Sequence, residues 1–209
     1  MSVLDDLRQN VIDGNAASVP GLVKQAMSEG TPPEKILNES LISGMAQVGQ
    51  LFEAGEFFVP EMLIAARAMK AGLELLRPHL AAANVKAVGK VVLGTVQGDL
   101  HDIGKNLIGM MLEGAGFRVV DLGSNVAPEQ FLAAAREHGA AFVALSALLT
   151  TTMPAMQATV AALRASDLHD LKLIVGGAPV TEAFARGIGA DGYAPDASSA
   201  VALVRGLVA

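Results

Sequence analysis

The 209 residues include four histidines, His79, His101, His138 and His169, and no cysteine. Without cysteine there are no disulfides, thiolate metal sites, iron–sulfur clusters or thiol nucleophiles. A metal would therefore have to be held by His, Asp or Glu. One histidine has an unusual setting, Gly98-Asp99-Leu100-His101-Asp102-Ile103-Gly104-Lys105-Asn106. A carboxylate two residues before an imidazole can accept a proton from one ring nitrogen. That fixes the tautomer and makes the other nitrogen a better metal donor. The plainer reading makes Asp99 a helix cap and His101 a polar loop residue. For an isolated Asp-x-His the plainer reading is the commoner, so the choice turns on what lies nearby.

Two further segments stand out. Ser146-Ala147-Leu148-Leu149-Thr150-Thr151-Thr152 places four hydroxyls in a short stretch, more than capping of a following helix needs. Gly176-Gly177 removes side chains where a bulky flat group could lie against the backbone, although a glycine pair alone most often marks a turn. Neither Gly-x-Gly-x-x-Gly nor a Walker-type loop follows the first strand, so phosphate binding of those kinds is not supported.

The elements that must position these segments follow from hydrophobic periodicity. Residues 3–12, 16–29, 33–52 and 60–77 have apolar positions at spacings of three and four, as amphipathic helices require. Gly14-Asn15, Gly30-Thr31-Pro32-Pro33, Gly55 and Pro60 separate them. Four helices with short connections predict an antiparallel bundle over residues 1–82. A linker is expected at 83–89, within a stretch beginning near Ala81, and an α/β domain at 90–209. There the period changes. Short β-branched runs at Lys90–Val96, Phe117–Leu122, Phe142–Ser146, Lys172–Val175 and Gly192-Tyr193 predict strands. Helices are expected over 103–114, 128–138, 153–166, 181–187 and 196–207. Five strand–helix alternations imply a five-stranded doubly wound parallel sheet of Rossmann or flavodoxin-like type, so the fold class is α followed by α/β. In such a sheet ligands bind beyond the carboxyl ends of the strands. All three unusual segments fall there.

Composition narrows the function classes. Hydrophobic residues make up 52% and charged residues 17%, which predicts a folded chain. The net charge is −6 and no Lys/Arg cluster is present, which argues against a nucleic-acid partner. No apolar run is long enough for a membrane span and no signal peptide is evident, so a cytoplasmic protein without membrane association is expected.

Together these residues resemble the cobalamin-binding domain shared by methionine synthase, corrinoid-dependent isomerases and the small corrinoid proteins of methyltransferase systems. The family pattern is Asp-x-His-x-x-Gly, then Ser-x-Leu, then Gly-Gly. Here it is Asp99, His101 and Gly104, then Ser146 and Leu148 after residues 105–145, then Gly176-Gly177 after residues 149–175. The helical half, from Gly44 through Phe52 and Val59 to Leu63, resembles the cap bundle of methionine synthase and of the small corrinoid proteins, although leucine is usual where Val59 stands.

The resemblance implies a cobalamin or related corrinoid, in its methylcobalamin, Co(I) and Co(II) forms. His101 would replace the corrinoid's own lower base as axial cobalt ligand, and Asp99 and Thr152 would form a proton relay to it. Gly98, Asp102, Ile103 and Gly104 would complete the cofactor-binding loop, with Ser146, Leu148, Thr150, Gly176 and Gly177 against the displaced base and tail. Phe52 and Val59 would cover the methyl-bearing face. The implied function is a methyl carrier of the methylamine or aryl-ether type. Its partners would be a substrate-specific methyltransferase, a methylcorrinoid:acceptor methyltransferase and a reductive activator of the corrinoid. Two alternatives are a sensor or storage module without methyl transfer, and the small subunit of a carbon-skeleton isomerase. The isomerase group lacks the Phe52–Val59 cap, and sensors of this kind usually carry a DNA-binding domain.

Overall fold

A computed structural model describes residues 2–85 and 87–208. The chain divides into two compact units, Met1–Ala87 together with Glu113–Gly116, and Val88–Leu112 together with Phe117–Ala209.

The first unit is helical. Helix α1 (Val3–Ile12) is capped by Ser2, whose hydroxyl accepts from the Asp5 N–H. Helix α2 spans Val19–Ser28, and a third helical stretch runs through α3 (Pro33–Ile36), a π-helical segment (Leu37–Ile42) and α4 (Ser43–Glu53). Helix α5 is Val59–Ala82. The buried stripe of Leu7, Val11, Val23, Ile36, Leu41, Val48, Met62, Met69 and Leu76 joins these helices. Two details differ from the periodicity reading. The third helix is not uniform, because a π segment keeps the amphipathic pattern while widening the turn. The fourth extends past residue 77 to Ala82 with Pro78 inside it. Pro78 costs one backbone hydrogen bond, but Leu76 and Leu80, four apart and both buried, hold the helix through it. Ala81 and Ala82 are therefore helical rather than linker, and Lys86 lies outside the described residues.

In the second unit strands β1 (Lys90–Thr95), β2 (Arg118–Asp121), β3 (Phe142–Ser146), β4 (Lys172–Gly176) and β5 (Gly192–Ala194) form one sheet. All pairings are parallel and the order is β2-β1-β3-β4-β5. Around it lie α6 (Ile103–Gly114), α7 (Pro128–His138), α8 (Met153–Arg164), α9 (Glu182–Gly187) and α10 (Ala197–Gly206). In β1, β3 and β4 the central residues are buried on both faces, as strands covered by helices on either side must be. Residues Val92, Phe131, Val143, Leu145, Met156, Leu163, Leu173 and Val175 form the core on one face.

The register matters for function. Thr95 pairs with Ser146 and Ser146 with Gly176, so β1, β3 and β4 end in one row. The loops that leave this row carry His101, Thr152 and Gly177. Between β1 and β3 the direction of strand addition reverses, which opens the crevice in which α/β sheets bind ligands. Strand β1 stops one residue short of the expected Val96, which instead forms an isolated bridge with Val126. That bridge ties the loop after β2 to the loop after β1.

Candidate functional site

The His101 loop begins at Gly98, whose φ of +83° turns the chain sharply away from β1. Asp99 follows and is fully buried. Its carboxylate organises the site. One oxygen accepts from the His101 backbone N–H at 3.0 Å and lies 2.8 Å from His101 Nδ1. The other accepts from the Leu148 N–H at 2.7 Å and from the Thr152 hydroxyl at 2.8 Å. Burial alone would raise the carboxyl's pKa, but the donors at His101, Leu148 and Thr152 outweigh it and hold the pKa well below the usual carboxylate range. Asp99 is therefore an acceptor only, and His101 Nδ1 must carry the proton that it receives. The Nε2 lone pair is left free. The Thr152 hydroxyl also lies 2.9 Å from the Leu149 carbonyl and has a single proton to share between the two acceptors.

The His101 side chain is 51% exposed, and Nε2 takes no hydrogen bond among the described residues. The Thr95 hydroxyl holds the His101 carbonyl at 3.1 Å. Around this imidazole the surface is unusually apolar. Leu100 is 72% exposed and Ile103 79%, while Leu148 and Leu149 are exposed to about the same degree as each other. A Cβ built on Gly104 would meet no protein atom within 4 Å, so the chain's own packing does not require glycine there. Asp102 and Thr150 are exposed and Ser146 is half-buried. The hydroxyls of the Ser146–Thr152 segment do not cap α8, because Thr152 at its N-cap is turned to Asp99 and the Leu149 carbonyl instead.

The structure also gives the glycine pair a nearer reason than room for a ligand. Gly177 has φ +127°, and a Cβ there would lie 1.9 Å from the Ala147 carbonyl oxygen. At Gly176 it would lie 2.7 Å from the Ala194 carbonyl oxygen. Neighbouring backbone thus excludes a side chain at both positions and lets the loop after β4 press against the Ser146–Thr152 loop.

In the helical unit Phe52 is half-buried near the end of α4, and Val59 is 39% exposed at the start of α5. They flank one loop at one end of the bundle. Phe58, in the same loop, is 64% exposed and was not singled out by sequence reasoning.

Other residues escaped the sequence reading. Asn125, at φ +57°, accepts the Gly98 N–H on its side-chain oxygen at 2.8 Å and donates its own N–H to the Asp99 carbonyl at 2.9 Å. Its Asn identity suits a left-handed residue with a short polar side chain. Lys105, 1% exposed, donates to Asp121 and Asn106 and so pins the first turn of α6 to the end of β2. Replacing Asn125 by Ala is expected to destabilise the protein by about 1–2 kcal/mol, from one lost side-chain acceptor and a non-glycine residue left in the αL region. Asn125→Gly should cost less, because glycine tolerates that φ. Urea unfolding of both variants checks the order.

Comparison with known proteins bears on the same residues. Two profiles described as a B12 binding domain match the chain, one over residues 89–202 and the other over 3–77. A corrinoid protein of Desulfitobacterium hafniense is 42% identical over 207 residues, spanning 97% of this chain and 96% of its own length. The chain belongs to the B12-binding corrinoid protein family. A dimethylamine corrinoid protein of Methanosarcina acetivorans is likewise 42% identical, over 99% of this chain and 97% of its own. The solved methanol:cobalamin methyltransferase complex of Methanosarcina barkeri contains a chain that superposes with a TM-score of 0.89 at 28% identity, covering 99% of this chain and 79% of that one.

This corrinoid protein binds a corrinoid cofactor, and the donor set fits one. No group of three or more His, Asp or Glu among the described residues could hold a metal ion. His101 offers a single nitrogen, suited to a metal whose in-plane positions a macrocycle already fills. The exposed leucines and isoleucine around it suit the apolar face of such a ring. No helix among the described residues is long and apolar enough to cross a membrane.

Proposed function

We propose that this corrinoid protein carries a methyl group between a substrate:corrinoid methyltransferase and a second, acceptor-side methyltransferase, with methylamines as the donor class. The observation that carries the proposal is His101: a half-exposed imidazole whose Nδ1 is locked by a buried carboxylate and whose Nε2 takes no hydrogen bond among the described residues. When bound, the corrinoid supplies a cobalt centre able to accept and release a methyl group.

The chain's own residues supply ligation, proton control and shielding. His101 Nε2 would hold the cobalt. Asp99 keeps the ring in the tautomer that such ligation needs and would stabilise an imidazolium if Nε2 took a proton instead. Thr152 completes the path at the other carboxylate oxygen. Gly98, Asp102, Ile103 and Gly104 form the loop beneath the ring, and Ser146, Leu148, Thr150, Gly176 and Gly177 meet the displaced tail. Phe52 and Val59, at one end of the bundle, shield the methyl group. Residues 1–82 act as cap and 90–209 as the corrinoid domain, and residues 83–89 form the hinge that lets the cap move. A reductive activator restores the corrinoid after oxidation.

The names of the relatives support the methylamine class and a methyltransferase partner. No sequence feature favours a storage or sensing role, since the chain covers nearly the full length of relatives named as methylamine corrinoid proteins. The test is to reduce the corrinoid-loaded protein and add methylamine methyltransferases with mono-, di- or trimethylamine. Methylation of the bound corrinoid, read by its visible absorption, is expected with one amine and its enzyme. Stable corrinoid binding with no methylation from any amine would sink the methylamine assignment.

A further inference from the structure

Between the sheet and helices α6 and α10 lies a narrow cleft of about 20 Å³, beneath the row where β1, β3 and β4 end, that the helices must part to admit a ring. Leu93, Ile108, Leu112, Ile174 and Val204 line it, with Ser146 and Gly176 at the strand ends. Every lining side chain is apolar except Ser146. The Ser146 hydroxyl takes no hydrogen bond among the described residues, so the cleft offers one unclaimed polar side chain in an otherwise apolar wall. The strand backbones on either side are committed to the sheet.

We infer that this cleft selects the chemical class of the corrinoid's lower base, favouring a benzimidazole or a phenol over a purine. The inference rests on the proposal that His101 displaces the base and that the tail enters at Ser146 and Gly176. A displaced benzimidazole, joined to its ribose through one ring nitrogen, has one other nitrogen to satisfy. The Ser146 hydroxyl can donate to it. A phenol is joined through its only heteroatom and asks for nothing. An adenine brings three further ring nitrogens and an amino group, and the cleft has one partner for the four. Polar groups moved from water into an apolar site without partners weaken binding, whereas a base with few such groups gains from the apolar contacts. The same logic makes a site discriminate most strongly when a mismatch leaves polar groups unpaired.

The test is to titrate the apoprotein with cobinamide, which lacks the tail, and with benzimidazolyl, p-cresolyl and adeninyl cobamides, following the visible absorption change to obtain Kd. The benzimidazolyl and p-cresolyl forms are expected to bind at least about tenfold more tightly than the adeninyl form. Ser146→Ala should weaken the benzimidazolyl form by about tenfold and leave the p-cresolyl form unchanged. Equal affinity for the adeninyl and benzimidazolyl forms, with cobinamide weaker than both, would overturn the base preference while leaving tail insertion intact. Cobinamide binding as tightly as every cobamide would instead overturn tail insertion. The wild-type ranking decides the inference even if the Ser146 variant folds poorly.

Discussion

Asp99→Asn is expected to destabilise the protein by about 3 kcal/mol and, in one of the two orientations its amide can take, to disable the histidine as well. The carboxylate accepts four hydrogen bonds, two on each oxygen, and an amide can accept on one side only. If the new NH2 points toward Leu148 and Thr152, the hydroxyl can turn and accept, but the Leu148 N–H is orphaned. If it points toward His101, the backbone N–H of His101 is orphaned. The ring then answers by moving its proton to Nε2, which removes the lone pair that would bind metal. Either way a buried donor loses a charged acceptor, a loss worth about 1.5–3 kcal/mol for one such bond, and the remaining bonds weaken with the charge. The same carboxylate sets an acid limit. Its folded pKa is depressed below the unfolded value near 3.8, so its contribution is fully present above that value and is lost as pH falls through and below it. The wild-type urea midpoint should therefore drop between neutral pH and about pH 3 more steeply than that of Asp99→Asn, whose amide does not titrate. Parallel pH profiles for the two proteins would show that Asp99 is not held ionised by these bonds.

How much of this was legible follows from which contacts are local. The Asp99–His101 pair is two residues apart, and its geometry could be read from spacing. So could helices α6 and α7, because Ile103–Gly114 keeps a clear apolar period and α7 opens on Pro128 and closes on Gly139 at φ +57°. The other half of the Asp99 network was not readable from periodicity. Leu148 and Thr152 are about fifty positions away and meet the carboxylate only because β1 and β3 are neighbours in register. The part of Thr152 came from the family pattern, whereas Leu148 was expected only against the corrinoid's tail and its N–H to Asp99 was not foreseen. Asn125 had no such help. Its side chain matters because the Val96–Val126 bridge carries the loop after β2 across to Gly98, a contact that no window of sequence contains. The glycine pair was noticed, yet its reason was missed: the carbonyls of Ala147 and Ala194 belong to other strands and loops. The helix expected over 60–77 stopped too early, because α5 runs on through Pro78 to Ala82, held by the burial of Leu76 and Leu80.

His101→Ala is expected to lower corrinoid affinity by at least the roughly 10–100-fold that loss of a metal ligand's support alone costs, with little change in folding stability. The fold should survive because the side chain is half exposed and Asp99 keeps three of its four donors. Affinity alone would not identify the ligand, since the corrinoid's own base can return to the cobalt in the variant. Isotopic labelling separates the two cases. In the Co(II) form, a nitrogen on the axial position splits the electron paramagnetic resonance lines. Growing the wild-type protein with 15N-histidine should convert that triplet splitting to a doublet, because 14N has spin 1 and 15N spin 1/2. The His101→Ala protein, labelled in the same way and loaded with unlabelled corrinoid, should keep a triplet from the base or show no splitting. His79, His138 and His169 are labelled in both proteins, so a doublet that persists in the variant would assign the cobalt to another histidine. A wild-type triplet indifferent to labelling would mean that the base never leaves. With the doublet present and then lost, the one lone pair that Asp99 leaves free is the one the cobalt uses.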